Sequence, residues 1–351
     1  MHTQGADRYF IGLPSGGSAS WSEASNWSGG TLPLPQDVAR ITFDDPFDRV
    51  VTLDVDASLS GLRLANGGGG LMTLYQPSDA NLSTSYESVG APSLGNSRGE
   101  HVQDGGTNNV GSLTLGDYSY YNTTSGRYVL NDGTLNVSQL GIGLYGKGTF
   151  EQNGGAVNVS NILTIADFPQ STGAYLLRGG TVNSSGWVYV GYHGAGTFIH
   201  SAGTHRLSGI LSLGVTQAYG EVGGTYVLSG AHAVLVTDDE LIARHGPGTF
   251  LQSAGTHEVS SRSVIGWANP GIYDLSGGSL RVGELLELGV GGRGTLNHSG
   301  GIVTVGTKAM PGIMSIRTYN WGTYSLGSSE ATLNVWGTEY VGYEGRGTFR
   351  Q

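Results

Sequence analysis

The chain has 351 residues, 62 of them glycine and none cysteine, with 13% charged residues and a formal net charge of −10. The missing thiols exclude disulfides, Cys–zinc sites and thiol chemistry. The acidic balance leaves no basic surface to neutralise phosphates, which argues against nucleic acid and anionic membrane as partners, and no apolar run approaches the ~18 residues of a membrane span. Average glycine usage would give roughly 25 in a chain of this length. The excess would suggest disorder if it were irregular. It is periodic, and the low charge also argues against a solvated coil.

Residues 1–65 form a first segment with its own pattern. The opening Met1-His2-Thr3-Gln4 lacks the basic-then-apolar pattern of a signal peptide. Trp21 and Trp27 flank a polar turn, and Arg40–Phe43 and Val50–Asp54 read as alternating strands. Solenoids need atypical ends, because an open coil offers unpaired backbone and apolar core to other chains. This segment is therefore expected to be a β cap, with both tryptophans packed over the first repeat.

From residue 66 to 351 a repeat fills the chain. Gly148-Thr149-Phe150-Glu151-Gln152-Asn153-Gly154-Gly155 returns as Gly196-Thr197-Phe198-Ile199-His200-Ser201-Ala202-Gly203, again from Gly248 and from Gly294, and begins once more at Gly347. A sister unit is interleaved with it, and its tyrosines, Tyr128, Tyr175, Tyr226, Tyr273 and Tyr324, lie 47, 51, 47 and 51 residues apart. One period is thus two coils of about 22–26 residues. Each coil reads as a short strand, a glycine turn, a second strand, a brief bend, a third strand of the type Trp187–Val190 or Leu211–Leu213, and a loop ending in glycine. The strands are short, alternating and rich in Val, Ile, Leu, Thr and Tyr. One such coil cannot bury its apolar side, whereas stacked coils enclose a continuous core. The expected fold is all-β: a right-handed parallel β-helix of 11–12 coils with about three strands each. At the ~4.7–4.9 Å spacing of paired strands the coils would make a rod of roughly 50–60 Å.

Alternation also assigns the interior. Tyr128, Phe150, Tyr175, Phe198, Tyr226, Phe250 and Tyr273 share one aligned position, and two residues on stand Gln152, His200, Gln252 and His298 in one coil type and Leu130, Leu177, Leu228 and Leu275 in the sister type. The residue between varies freely, as an outward position should. Both columns are expected to face inward, with the amides and imidazoles bonded to the glycine turn, since a buried polar group without a partner costs about 1–3 kcal/mol. His200 and His298 then read as structural.

The loop after the third strand carries aromatic residues in many coils: Tyr118, Tyr120, Tyr145, Phe168, Tyr192, Trp267, Tyr319, Trp321 and Tyr343. Such a file suits stacking on the apolar faces of sugar rings. It equally suits rings packing on one another. For catalysis, a glycosidase needs two carboxyls roughly 5–9 Å apart. The densest acidic cluster is Asp238-Asp239-Glu240, followed by Arg244 and His245, and it reads as a corner turn at a strand start. Nothing matches a calcium nonapeptide, an EF-hand, HExxH or a phosphate loop, so neither metal nor cofactor is expected.

The segments Trp21…Asn26-Trp27-Ser28-Gly29-Gly30, Thr52-Leu53-Asp54 and Tyr340-Val341-Gly342-Tyr343-Glu344-Gly345-Arg346-Gly347-Thr348-Phe349 resemble secreted bacterial proteins with autotransporter-associated β-strand repeats of the kind found in PEP-CTERM-type surface proteins. The resemblance spans roughly residues 20–351. It implies a parallel β-helix, export, and an extracellular or cell-surface location, and it brings no catalytic residues. Because residue 351 falls inside a repeat, further modules of a longer chain are expected. The function expected from these residues is a non-catalytic solenoid that binds polysaccharide, as a binding module or adhesin, a linear plant β-glycan such as xylan being one guess from geometry. The alternatives are a polysaccharide lyase or glycoside hydrolase of the parallel β-helix type, and a surface spacer without ligand.

Overall fold

The computed structural model describes residues 5–90, 96–117, 124–215, 222–316 and 320–351. Strands make up 59% of the chain and helix 1%, and the mostly parallel strands stack into a β-solenoid of about 12 turns. The chain divides into two compact units. One comprises Met1–Asn161 with Ala166–Tyr175, the other Ile162–Ile165 with Leu176–Gln351.

Within the first unit the coil-to-coil pairing is parallel and in register, apart from antiparallel contacts at Asn66–Arg98 and Phe10–Trp27. Ser125–Leu130 lies between Arg98–Gln103 and Lys147–Gln152, so Tyr128 stands opposite His101 on one side and Phe150 on the other. Strands of the N-terminal 65 residues enter the same pairing: Val38–Phe43 runs parallel to residues 61–66, and Arg49–Thr52 to residues 72–75. Trp21 and Trp27 are fully buried. Their rings meet at 4.6 Å, Phe10 packs edge-on to Trp27 at 5.2 Å, and the Trp27 indole N–H donates to the Trp21 carbonyl at 2.8 Å.

The second unit repeats the plan. Phe198, Tyr226, Phe250, Tyr273, Leu296, Tyr324 and Phe349 occupy successive places in one ladder. The rings stack at 4.7 Å (Phe198–Tyr226), 5.0 Å (Tyr226–Phe250) and 4.6 Å (Phe250–Tyr273). The interior aromatic column expected from alternation is therefore present, and it is interrupted where Leu296 replaces a ring.

Where the coil leaves its third strand the backbone turns through positive φ. Glycine stands there in most coils, as at Gly191 (φ 70°) and Gly266 (φ 81°), but Ala166 (φ 59°) and Ala243 (φ 61°) hold the same conformation with a side chain. In several coils the second and third strands are one continuous bent strand, such as Ala156–Ile165 and Thr256–Ile265, rather than two.

Candidate functional site

The interior accounts for the polar columns. Gln252 donates its amide N–H to the carbonyl of Gly255 at 3.2 Å and accepts the Tyr273 hydroxyl at 2.6 Å. His200 meets the same needs, with Nε2 at 3.0 Å from the Gly203 carbonyl and Nδ1 at 3.0 Å from the Tyr226 hydroxyl. His298 does so with Gly301 and Tyr324. A carbonyl can only accept, so Nε2 carries the proton and Nδ1 accepts from the phenol. Burial pushes the His200 imidazole down to about 4 and depresses His298 as well. These histidines are neutral core residues bonded to the glycine turn, as the alternation predicted.

The acidic cluster is pulled apart by the backbone. It lies in the middle of the strand Val234–Ile242, not at a strand start, and the register slips between Thr237 and Asp239. Asp238 is the single residue that stands opposite both Ser260 and Ser261 at that slip, and it is exposed beside a groove of about 290 Å³ that also touches Asn183, Arg206 and Ser208. Asp239 points outward and accepts the backbone N–H of Arg262 at 3.2 Å. Glu240 points inward and is fully buried, accepting the Ser263 hydroxyl at 2.8 Å. Burial raises its carboxyl to about 8, against a smaller pull from Ser263. His257 Nε2 lies 3.8 Å from Glu240 Oε1 and is itself pushed down to about 3 by burial. Each group is driven to its neutral form, and the separation exceeds hydrogen-bond range. Glu240 and His257 are thus two neutral core groups rather than an ion pair, and a buried carboxyl in a closed core has no route to a substrate. Arg244 lies at the exit corner of the coil, and His245 beside it is exposed.

The outer surface at that corner is aromatic. In the first unit Tyr145 and Phe168 stack on each other at 3.8 Å. In the second unit Trp187, Tyr189 and Tyr192 form a chain of rings with centroids 5.5 and 5.0 Å apart, and His193 closes on Tyr192 at 4.4 Å. The Arg244 guanidinium sits 5.3 Å from the Trp187 ring. It also draws down the Tyr189 phenol, against the larger upward push of burial. Arg262 covers Trp267 at 5.3 Å and Arg346 covers Trp321 at 5.5 Å. Trp187 is 38% exposed, Trp321 53% and Tyr343 51%, with Tyr343 against Tyr340 at 5.1 Å. Tyr118, Tyr120 and Tyr319 lie outside the described residues.

Sequence reasoning passed over Trp187, Tyr189, Arg262 and Arg346. The available signal was parity, since Trp187 and Tyr189 occupy the outward positions of a strand whose Val188 and Val190 face inward. The arginines carried no such mark, because their partners come from elsewhere in the fold.

A second surface feature is a polar groove of about 400 Å³ in the first unit, lined by Ser83, Asn109, Asn136, Ser138, Asn158 and Ser160. Its carboxamides are linked in a ladder, Asn136 to Asn109 at 2.8 Å and Asn158 to Asn136 at 2.9 Å. Among the described residues no group of three or more histidines and acids could hold a metal ion, and no helix is long and apolar enough to cross a membrane. No protein-family model matches the chain, and neither a curated protein nor a solved structure does.

Proposed function

We propose that this protein is a non-catalytic β-solenoid that binds polysaccharide along the aromatic exit corner of its coils, as an extracellular binding module or surface adhesin. The observation that supports this reading is the solvent-facing chain of rings Trp187–Tyr189–Tyr192 on a rigid sheet, with Trp267, Trp321 and Tyr343 at or near the same corner of later coils. Rings fixed by the backbone lose little conformational freedom on binding, so stacking on a sugar face is not offset by ordering. Weak contacts repeated along a ridge multiply through effective concentration. The extracellular assignment rests on the resemblance to exported repeat proteins.

The test is affinity electrophoresis of the full chain through gels containing plant and bacterial glycans, xylan among them. Retardation by at least one glycan is expected, and Ala at Trp267 or Tyr192 should weaken it. Migration unchanged in every gel overturns the reading.

A further inference from the structure

Resting on the polysaccharide reading, we infer that the corner recognises an acidic, carboxylate-bearing polysaccharide through paired tryptophan and arginine side chains. The argument starts from where the arginines are. In the first unit Arg8 pairs with Asp37, Arg40 with Asp7, Arg49 with Asp45, and Arg127 with Glu100 and Glu151. That is the ordinary arrangement in a chain with more acids than bases. In the second unit Arg244, Arg262 and Arg346 instead lie over Trp187, Trp267 and Trp321, and among the described residues none has a carboxylate within 4.0 Å of its side chain. The neighbouring Asp239 engages only the backbone N–H of Arg262. A chain with 27 acidic residues and 17 basic ones had carboxylates available for these three guanidinium groups.

A guanidinium beside an indole still carries five N–H donors. Arg244 gives a hydrogen bond to the Tyr189 hydroxyl, and the remaining N–H groups can meet a carboxylate in bidentate geometry. The ring beside it offers an apolar face. The two together fit a sugar ring bearing a carboxylate, which stacks with one part and is bonded by the other. The first two pairs are also neighbours within the second unit. Trp187 and Arg262 stand in one outward ladder with Ile210 and Asp239 between them. Tyr192, Arg244 and Trp267 each follow the positive-φ residue of their own coils, Gly191, Ala243 and Gly266. A strip from Trp187 to Trp267 therefore covers three coil steps, about 14 Å at the strand spacing. A strip built this way binds an extended acidic chain in preference to a neutral one, despite the net negative charge of the protein.

The experiment compares retardation of the intact chain by polygalacturonate and alginate, by neutral glucan and galactan, and by polyglutamate, at low and at high salt. The expected result is retardation by the uronans that weakens with salt. R244A should lose roughly tenfold or more in affinity, the scale of a charge-assisted hydrogen bond. R244K should lose nearly as much, because an ammonium lacks the fork, and W187A should lose binding to the same uronans. Retardation by neutral glycans but not by uronans overturns this inference and leaves the polysaccharide reading standing. Retardation by polyglutamate equal to that by uronans also overturns it, since the surface would then read charge alone. Retardation by no glycan overturns both. These side chains are on the surface, and unchanged circular dichroism of each variant confirms that the fold is intact.

Discussion

The hydroxyl of Tyr324 donates to Nδ1 of His298 at 2.7 Å, from one coil to the coil before it. The same bond joins Tyr128 to Gln103, Tyr175 to Gln152 and Tyr273 to Gln252, each at 2.6 Å. This relationship explains why the repeat is two coils long. A buried phenol needs an acceptor, and the preceding coil supplies one from a side chain that also carries an N–H for the turn carbonyl three residues on. Glutamine and histidine both have an acceptor and a donor at the right separation. Phenylalanine in the intervening coil has no hydroxyl to satisfy, so leucine suffices at the paired position of the coil before it. His298→Gln is therefore expected to change stability by less than ~1 kcal/mol. His298→Leu strands the Tyr324 hydroxyl and should cost about 1–3 kcal/mol, and adding Tyr324→Phe should recover most of that loss. Urea denaturation of the three variants beside the parent chain checks this, and equal losses for the Gln and Leu variants would refute it.

Stability should be greatest near pH 6.5, for reasons that can be followed group by group. Burial holds His205 and His257 at about 3 and His200 at about 4, below the ordinary 6.5 of an imidazole. Their contribution is complete above 6.5 and is lost as pH falls toward their folded values, because the unfolded chain takes up the protons first. Glu240 acts in the opposite direction. Its carboxyl is raised from 4.5 to about 8, so its contribution is complete below 4.5 and is lost as pH rises toward 8. Below pH 6.5 three imidazoles outweigh one carboxyl, and stability falls with acid. Between 6.5 and 8 the carboxyl acts alone, and stability declines gently. Melting temperatures across this range should show that profile, and Glu240→Gln should flatten the alkaline limb while leaving the acid limb. An alkaline decline of full size in that variant would contradict the assignment.

Glu240 also shows where reading the sequence fell short. The repeat length, the strand alternation, the inward aromatic column and the amide and imidazole bonds to the turns all follow from period and chemistry, and the fold contains them. The facing of Glu240 does not follow. The bend at Asp238 is one residue shorter than the matching bend at Ser260-Ser261, which shifts the parity of everything after it, and a strand slipped by one residue exchanges its faces. The tryptophan–arginine pairs were hidden for another reason. Arg244 and Trp187 are 57 positions apart in sequence, and only the stacking of coils brings them to 5.3 Å. The corner tyrosines announced themselves by recurrence, whereas a partner drawn from another coil leaves no local trace.

The exit corner offers a route to a more stable chain. Ala166 and Ala243 adopt positive φ where other coils use glycine, a conformation that costs an L-residue roughly 1–2 kcal/mol. Glycine removes that strain and returns part of the gain as greater freedom of the unfolded chain. Ala166→Gly and Ala243→Gly should each stabilise by about 0.5–1 kcal/mol. The reverse change at Gly191 should destabilise by more than strain alone, because a Cβ there would lie 2.5 Å from the Gly223 carbonyl carbon. A thermal shift upward for the first two and downward for Gly191→Ala is the expected pattern.

Trp27 should be the most sensitive position of the N-terminal segment. Its ring has no exposure, contacts Phe10 and Trp21, and fixes the Trp21 carbonyl through its indole N–H. Trp27→Phe keeps a ring but leaves that buried carbonyl short of a donor, a loss of about 1–3 kcal/mol on top of the reduced packing. Trp27→Ala removes the ring itself and should cost about 3–5 kcal/mol. Because repeat arrays unfold locally as well as globally, the damage should begin at this segment. Limited proteolysis should cut the Ala variant first among residues 5–66, at times when the second unit is still intact. Simultaneous loss of both regions would show instead that the whole chain unfolds as one cooperative body.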